Sequence, residues 1–295
     1  MTVQRILVPV DLSEQSDAAL AYAVSLGQVW KAEIHVLNVY HLPAYAFPDG
    51  AFLPGPEAVA DILDAAQKKV KKNIAAHADS GLTFKSHMVE GSVHEEIAKQ
   101  AKDIGANLVV MGTHGRTGVS HFVLGSVAER VIRTAECAVM TVRGTESSAT
   151  PKKILVGYDF SDPADRALAW ARSFAETLGA SVEVAHVFVD PWEEYRRAGS
   201  SVADSAETKY QAYREGLESL LAKAVSKAFG DRAPEVVRSV VTGSGSETLL
   251  EHADKKGVDL VCVGTSGKDA VERVLLGSTA QRLVQHSKVP VLTVH

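Results

Sequence analysis

Short apolar runs alternate along the chain with longer segments of helical period. The first run, residues 5–10, is continuous, as in a strand that is covered on both faces, and further strands are predicted at residues 33–39, 82–89, 107–111 and 138–142. The segments between them carry apolar stripes that predict helices over residues 13–30, 57–78 and 126–134. Strands that alternate with helices predict a parallel, doubly wound sheet, which binds ligands at the carboxyl ends of its strands.

The same pattern occurs twice. Residues 6–11 (ILVPVD) return as residues 154–159 (ILVGYD), and residues 108–115 (LVVMGTHG) return as residues 260–267 (LVCVGTSG). A period of about half the chain indicates duplicated domains, because solenoid repeats are only 20 to 50 residues long. We therefore predict two domains, residues 1–145 and 152–295, joined by a small polar linker around residues 144–151.

The predicted fold is α/β and Rossmann-like. Each half is expected to form an open, doubly wound sheet of five mainly parallel strands, with helices on both faces. The last apolar runs, residues 138–142 and 289–294, would be sheet edges, and an open edge favours pairing. Pairing of these edges would give a pseudo-dimer within one chain, and a homodimer of whole chains is a further expectation.

Composition narrows the class of protein. The 295 residues are 46% hydrophobic and 23% charged, with a net charge of -5, which suits a globular protein and gives no support to a nucleic-acid or membrane surface. Cys137 and Cys262 lie in apolar runs and are interpreted as buried thiols. With no signal-peptide pattern at the start and no apolar run of about 20 residues, we expect a cytoplasmic protein.

A glycine-rich segment follows the fourth apolar run of each half at identical spacing. Its members are Gly112, Gly115, Gly125 and Ser126 in the first half, and Gly264, Gly267, Gly277 and Ser278 in the second. Glycines let backbone N–H groups turn toward an anion, and the start of a helix favours phosphate. Arg116 and Lys268 would add positive charge. The alternative is a tight strand–helix turn that holds no ligand.

Two aspartates end the first apolar run of each half. Asp11 and Asp159 can accept hydrogen bonds from ribose hydroxyls near the predicted switch point. Each can instead cap the following helix, although Ser13 and Asp162 are alternative caps. Two further sequences, residues 92–95 (SVHE) and 244–247 (SGSE), have the form of capping boxes.

These features resemble those of the universal stress protein family, in its ATP-binding branch. The family signature, Gly-x2-Gly-x9-Gly-(Ser/Thr), fits both halves, and the resemblance extends over almost the whole chain. It implies a first nucleotide site at Pro9, Val10, Asp11, Val39, Gly112, Gly115, Arg116, Gly125, Ser126 and Val127. It implies a second at Gly157, Tyr158, Asp159, Val187, Gly264, Gly267, Lys268, Gly277, Ser278 and Thr279.

The two implied sites differ in detail. Gly157 replaces Pro9, Ser266 replaces His114, and Tyr158 replaces Val10, where its ring would either stack on adenine or crowd it. We therefore expect unequal affinities. Long loops at residues 41–56 and 191–203 are interpreted as lids, docking surfaces or ordinary variable loops. Four lysines, Lys68, Lys69, Lys71 and Lys72, are interpreted as the solvated end of a helix.

The resulting hypothesis is a stress-response protein that binds ATP, alone or with Mg²⁺ or Mn²⁺, in each half and signals to an unidentified protein partner. The alternatives are a slow ATPase or adenylyl-transfer enzyme and an interaction protein that binds AMP or a cyclic nucleotide. No catalytic residue is predicted, because no base or nucleophile accompanies His114. No metal-ligand spacing, Walker motif or catalytic triad is present in the sequence.

Overall fold

The protein is described here from a computed structural model. It describes residues 2–41, 45–47, 50–52, 55–113, 124–143, 150–197, 201–266 and 276–295. The chain divides into two compact units, Thr2–Thr150 and Pro151–His295, called the N-unit and the C-unit below.

The N-unit alternates strands and helices in the predicted order. Its elements are β1 (Arg5–Pro9), α1 (Glu14–Trp30), β2 (Glu33–Tyr40), β3 (Tyr45–Phe47), β4 (Gly50–Phe52), α2 (Pro56–Ala75), β5 (Phe84–Glu90), α3 (Val93–Asp103), β6 (Leu108–Gly112), α4 (Ser126–Thr134) and β7 (Ala138–Val142). Five of its strands pair in parallel in the order β5-β2-β1-β6-β7. The chain runs outward from β1 through β2 to β5 and then returns to β6, so the strand order switches between β1 and β6.

The C-unit repeats this topology. Its elements are β8 (Lys153–Gly157), α5 (Asp162–Leu178), β9 (Ser181–Phe188), α6 (Glu193–Arg197), α7 (Ser201–Phe229), β10 (Val237–Thr242), α8 (Gly245–Lys256), β11 (Leu260–Gly264), α9 (Ser278–His286) and β12 (Val291–Val294). Its strands are parallel in the order β10-β9-β8-β11-β12. The α/β, Rossmann-like fold predicted for each half is therefore confirmed.

Burial follows the position of each strand in its sheet. The three middle residues of β1 and of β8 are fully buried because helices cover both faces of these central strands. By contrast, β5 and β10 are edge strands and are half-exposed. The continuous apolar runs of the sequence mark the central strands for this reason.

The structure changes several predicted boundaries. Helix α2 ends at Ala75, before a short 3-10 turn at Ala78–Ser80, and β12 begins at Val291 instead of residue 289. The two predicted long loops contain structure of their own. The β3–β4 hairpin lies in the first loop, and α6 lies in the second.

The predicted helix caps are right in part. Ser92 and Ser244 are the N-caps of α3 and α8, but neither side chain bonds to the helix backbone, so the reciprocal capping boxes do not form. The Ser244 hydroxyl instead donates to Glu247 Oε2 (3.3 Å). Helices α1 and α5 are capped by Ser13 and Ser161, so the proposed Asp162 cap is wrong: that residue is the first of α5.

Candidate functional site

A cavity of about 290 Å³ opens at the carboxyl ends of β1, β2 and β6 in the N-unit. This is the point where the strand order switches, which is where open α/β sheets bind ligands. The predicted site residues that line it are Pro9, Val10, Asp11, Val39, Gly112, Gly125, Ser126 and Val127. The structure therefore brings these eight residues together. Gly115, Arg116 and His114 lie outside the described residues.

The C-unit has a smaller cavity of about 190 Å³ at the equivalent place. The predicted residues that line it are Gly157, Tyr158, Asp159, Val187, Gly264, Gly277, Ser278 and Thr279. Gly267 and Lys268 lie outside the described residues. The two cavities together contain every predicted site residue that the structure describes.

Sequence reasoning missed one wall of each cavity. Val93 and Ile97 of α3 line the first, and Gly245 and Leu249 of α8 line the second. The remaining additional lining residues are Ser16, Leu37, Met111, Thr113 and Ala128 in the N-unit, and Ala185, Val263, Thr265, Ser266 and Ala280 in the C-unit. The apolar face of α3 and α8 was the available signal, since the start of a helix after an outer strand also lies at the carboxyl edge of the sheet.

Each aspartate is held in a tight turn with the cap serine that follows it. Asp11 Oδ1 accepts hydrogen bonds from the Ser13 N–H (3.1 Å) and hydroxyl (2.5 Å). Asp159 Oδ1 accepts the same pair from Ser161, at the same distances. Ser13 and Ser161 are the N-caps of α1 and α5. The two aspartates bind these serines instead of capping the helices themselves, and both aspartates line a cavity.

The residue after each aspartate has left-handed backbone geometry. Leu12 has φ 67° and Phe160 has φ 62°, values that are unfavourable for bulky side chains. Such residues are retained where the surrounding structure determines them, and they cluster at functional sites. Both units have the same strained geometry at the same place. We therefore interpret these turns as part of the structure that forms the cavities.

A side chain of the second strand holds the backbone just before each aspartate. In the N-unit, Asn38 Nδ2 donates to the Val10 carbonyl (2.8 Å). In the C-unit, His186 Nδ1 bonds to the Tyr158 carbonyl (2.7 Å), so this nitrogen carries the proton. Two different side chains therefore perform the same positioning task.

The helices that border the cavities begin without side-chain caps. Gly125 and Gly277 are the N-caps of α4 and α9, and neither helix has a side-chain cap bond. Gly125 N–H donates to the Thr113 carbonyl (2.9 Å), and Gly277 N–H donates to the Thr265 carbonyl (2.7 Å), which fixes each helix start beside its strand end. Backbone N–H groups of the first helical turn thus face a cavity, where they favour an anion.

Gly264 has a packing role in addition to its place in the glycine signature. A Cβ atom at this position would lie 2.7 Å from Pro163 Cβ and 2.9 Å from the Pro163 carbonyl carbon. Those contacts are shorter than any real Cβ contact, and one of them is to backbone at the start of α5. Glycine is therefore required for β11 to approach α5, whether or not a ligand is bound.

The two cavities differ at two pairs of equivalent positions. Leu249 of α8 lies over Gly157, since a Cβ there would be 3.1 Å from Leu249 Cδ1, whereas Pro9 occupies the equivalent position in the N-unit. The Tyr158 hydroxyl donates to Asp165 Oδ1 on α5 (2.5 Å), and burial together with this bond raises the pKa of the phenol. No described α5 residue lines the cavity, so the hydroxyl end of this ring is directed away from it.

Other candidate groups have structural roles. Cys262 is buried, as predicted, whereas Cys137 is half-buried. Burial raises the pKa of the Cys137 thiol to about 11 and also raises that of Cys262, which disfavours the reactive thiolate form of both. Among the described residues, no group of three potential metal ligands is present, and no helix has the length and apolarity to cross a membrane. Lys69 is exposed, as predicted, but it does not lie at the end of the helix, because α2 continues to Ala75. Its Nζ donates to the Leu12 carbonyl (2.8 Å), a contact that the sequence did not predict.

Comparison with known proteins identifies the family. The Universal stress protein family profile matches residues 2–143 and 150–295. A universal stress protein of Mycolicibacterium smegmatis is 27% identical over 98% of this chain and 96% of its own length, and one of Methanocaldococcus jannaschii is 33% identical over 48% of this chain and 81% of its own. The fold is shared with a universal stress protein from Archaeoglobus fulgidus (TM-score 0.72, 23% identity, covering 100% and 99% of the two chains). The chain belongs to the universal stress protein family, with one family domain in each half.

Proposed function

We propose that this stress protein binds one adenine nucleotide in each unit, with ATP as the principal ligand, and that nucleotide occupancy regulates its association with a protein partner. The observation that carries the proposal is the convergence, in both units, of an aspartate, a strand-end glycine and an uncapped helix start on one cavity at the sheet switch point. These groups match the ribose and phosphate parts of a nucleotide.

Each part of the cavity suits one part of the ligand. The carboxylates of Asp11 and Asp159 would accept ribose hydroxyls, and the first turns of α4 and α9 would donate N–H groups to phosphate oxygens. Apolar side chains such as Val39, Ile97 and Leu249 would contact the base. Mg²⁺ or Mn²⁺ would be held chiefly by the triphosphate, because each described lining contains a single carboxylate.

The residues that line the cavities favour nucleotide binding over ATP hydrolysis. Among the described residues of the first cavity, Asp11 is the one side chain able to act as a general base, and its Oδ1 already accepts two hydrogen bonds from Ser13. A water molecule beside the phosphates would therefore have no evident activating group there. We expect ATP hydrolysis to be slow, and rapid metal-dependent turnover would instead favour an ATPase or adenylyl-transfer enzyme.

The test is equilibrium binding of ATP, AMP and 3′,5′-cyclic AMP to the full chain by titration calorimetry. We expect two ATP sites of unequal affinity. Asp11→Asn and Asp159→Asn should each weaken one site by about 10- to 150-fold, because a charge-assisted hydrogen bond contributes roughly 1.5 to 3 kcal/mol. Asp103→Asn, an exposed aspartate at the end of α3, is the control and should leave both constants unchanged.

Several results would contradict the proposal. Absence of ATP binding at millimolar concentration would exclude it, and tighter binding of AMP or cyclic AMP would redefine the ligand. Mass analysis of small molecules released from the denatured purified protein would identify the bound nucleotide independently. Gly264→Val is unsuitable as a site variant, because its added atoms would collide with the backbone of α5.

A further inference from the structure

Lys69 makes a hydrogen bond that joins two distant parts of the chain. It lies on α2, and its Nζ donates a hydrogen bond to the carbonyl oxygen of Leu12 (2.8 Å), 57 residues earlier in the chain. Leu12 is the left-handed residue that directly follows Asp11. The lysine therefore reaches from a helix outside the cavity lining to the backbone of the turn that presents the Asp11 carboxylate.

The turn depends on the geometry of Leu12. Asp11 Oδ1 accepts the Ser13 N–H across Leu12, so this bond closes a short turn in which Leu12 has φ 67°. A leucine pays a free-energy cost for that conformation, because its Cβ crowds the backbone. A cation that binds the Leu12 carbonyl stabilises the outward orientation of that peptide group and opposes relaxation to negative φ.

The local charges also favour a cation at this place. Asp17 of α1 interacts electrostatically with Lys69 and also with Asp11 and Glu14. Asn73, one turn after Lys69 on α2, donates to Asp17 Oδ1 (2.5 Å), so α2 contacts the start of α1 at two successive turns. Lys69 thus balances a group of carboxylates that would otherwise repel one another beside the turn.

The C-unit holds the equivalent turn without a lysine. Phe160 follows Asp159, and its ring packs against the cluster of Phe188, Tyr210 and Leu217. Leu217 lies on α7, the helix that precedes β10, as α2 precedes β5 in the N-unit. Apolar packing replaces the polar contact there, so the second site provides an internal control within the same chain.

We propose that Lys69 is a positioning residue of the first nucleotide site, acting through Leu12 to fix the carboxylate of Asp11 against the ribose. This inference rests on the proposed function, and it concerns one site only. It predicts that loss of Lys69 weakens the recognition of ribose hydroxyls, whereas contacts to base and phosphate remain.

The experiment compares Lys69→Met with Lys69→Arg, which keeps a donor, and with Lys71→Met, which removes an exposed lysine from the same helix. Binding is measured in an Asp159→Asn background, so that the first site dominates. Lys69→Met should weaken ATP about fivefold, the effect of one exposed charge-assisted hydrogen bond, but should leave 2′,3′-dideoxy-ATP unchanged. Lys69→Arg should restore binding to within about twofold, and Lys71→Met should have no effect.

Other patterns would overturn the inference. An equal loss for ATP and the dideoxy analogue would show that Lys69 does not act through the ribose. A loss confined to ligands with phosphates, with adenosine unaffected, would make Lys69 a phosphate contact. Thermal unfolding of each variant verifies that the fold is intact.

A second readout needs no ligand. The Ser13 amide hydrogen is protected by Asp11 Oδ1, so its exchange with solvent, measured by NMR, should be faster in Lys69→Met and unchanged in Lys71→Met. Unchanged exchange in Lys69→Met would refute the positioning role even if the wild-type protein bound no nucleotide. Faster exchange without nucleotide binding would refute only the proposed function.

Discussion

The two units present an aspartate in the same strained turn but hold that turn by different chemistry. In the N-unit the turn is fixed by a charged contact between Lys69 and the Leu12 carbonyl, and in the C-unit by packing of the Phe160 ring against Leu217 and its aromatic neighbours. The φ angles of Leu12 and Phe160, 67° and 62°, are nearly the same. The backbone geometry of the site was thus retained while the residues that support it changed.

Positions 35 and 183 are also equivalent, and there too the two units use different side chains. Buried between β2 and β5, His35 Nδ1 bonds to His87 Nε2 (2.9 Å), and His35 Nε2 bonds to Glu33 (2.9 Å). Between β9 and β10 the corresponding group is Glu183, which accepts from Ser239 (2.7 Å) and bonds to His252 (2.6 Å). Each set of side chains provides its own hydrogen-bond partners, as buried polar groups require.

The largest expected effect would come from the glycine that allows β11 to approach α5. Gly264→Ala should destabilise the C-unit by about 3 kcal/mol, because overpacking against backbone costs roughly 1 to 3 kcal/mol and the nearest contacts are severe. Gly216→Ala is the matched control: it lies exposed within α7 with no atom near the added Cβ, and should stabilise that helix by about 0.5 to 1 kcal/mol. Urea unfolding measures both, and a Gly264→Ala chain as stable as wild type would show that β11 can move.

A smaller effect on stability is expected from substitutions at Leu12 and Phe160, and it should differ between the two turns. Phe160→Asn should destabilise the C-unit by about 2 kcal/mol, since the half-buried ring loses its packing, although asparagine suits the left-handed geometry. Leu12→Asn should cost the N-unit less, about 1 kcal/mol, because its half-buried side chain is smaller and Lys69 binds the carbonyl, which remains. Equal losses in chemical unfolding of the two variants would contradict the difference in support.

The smallest expected effect is on the pH dependence of stability, which should differ between the two units. Burial, together with the nearby His35 and Lys85, holds the pKa of His87 below its ordinary value of 6.5. The folded N-unit therefore binds this proton less readily than the unfolded chain, and its stability should fall as pH decreases below about 6.5. Although burial alone raises the pKa of Glu183, hydrogen bonds from Ser239 and His252 bring it below 4.5, so the contribution of this group is lost only in stronger acid.

Hydrogen exchange with mass spectrometry can test this, because it reports on each unit separately. Between about pH 7 and 5.5 the free energy of opening should decrease in the N-unit more than in the C-unit, after correction for the intrinsic pH dependence of exchange. His87→Gln removes the titrating ring and should therefore reduce that decrease. The amide of the new side chain can still donate to His35 Nδ1, so the hydrogen bond is kept. A decrease of the same size in His87→Gln would assign the effect to other groups.

The sequence by itself determined the repeat, the α/β class and most residues of the two cavities. Continuous apolar runs identified the central strands because those strands are covered on both faces, and the glycine spacing identified where strands end and helices begin. Asp11 and Ser126 could be predicted to lie together because the carboxyl ends of parallel strands meet at one edge of a sheet, and the family resemblance added Pro9 and Val39. These properties are local or follow from strand order.

Tertiary structure alone decided which contacts support the cavities. The walls formed by α3 and α8, the bond from Lys69 to Leu12 and the requirement for glycine at position 264 all join residues far apart in the chain. Hydrophobic period shows that a helix has a buried face, but not which backbone group an exposed lysine of that helix will reach. From the sequence, Lys69 on α2 is predicted to be a solvated residue. Only the packing of α2 beside α1 brings its ammonium group to the turn after Asp11.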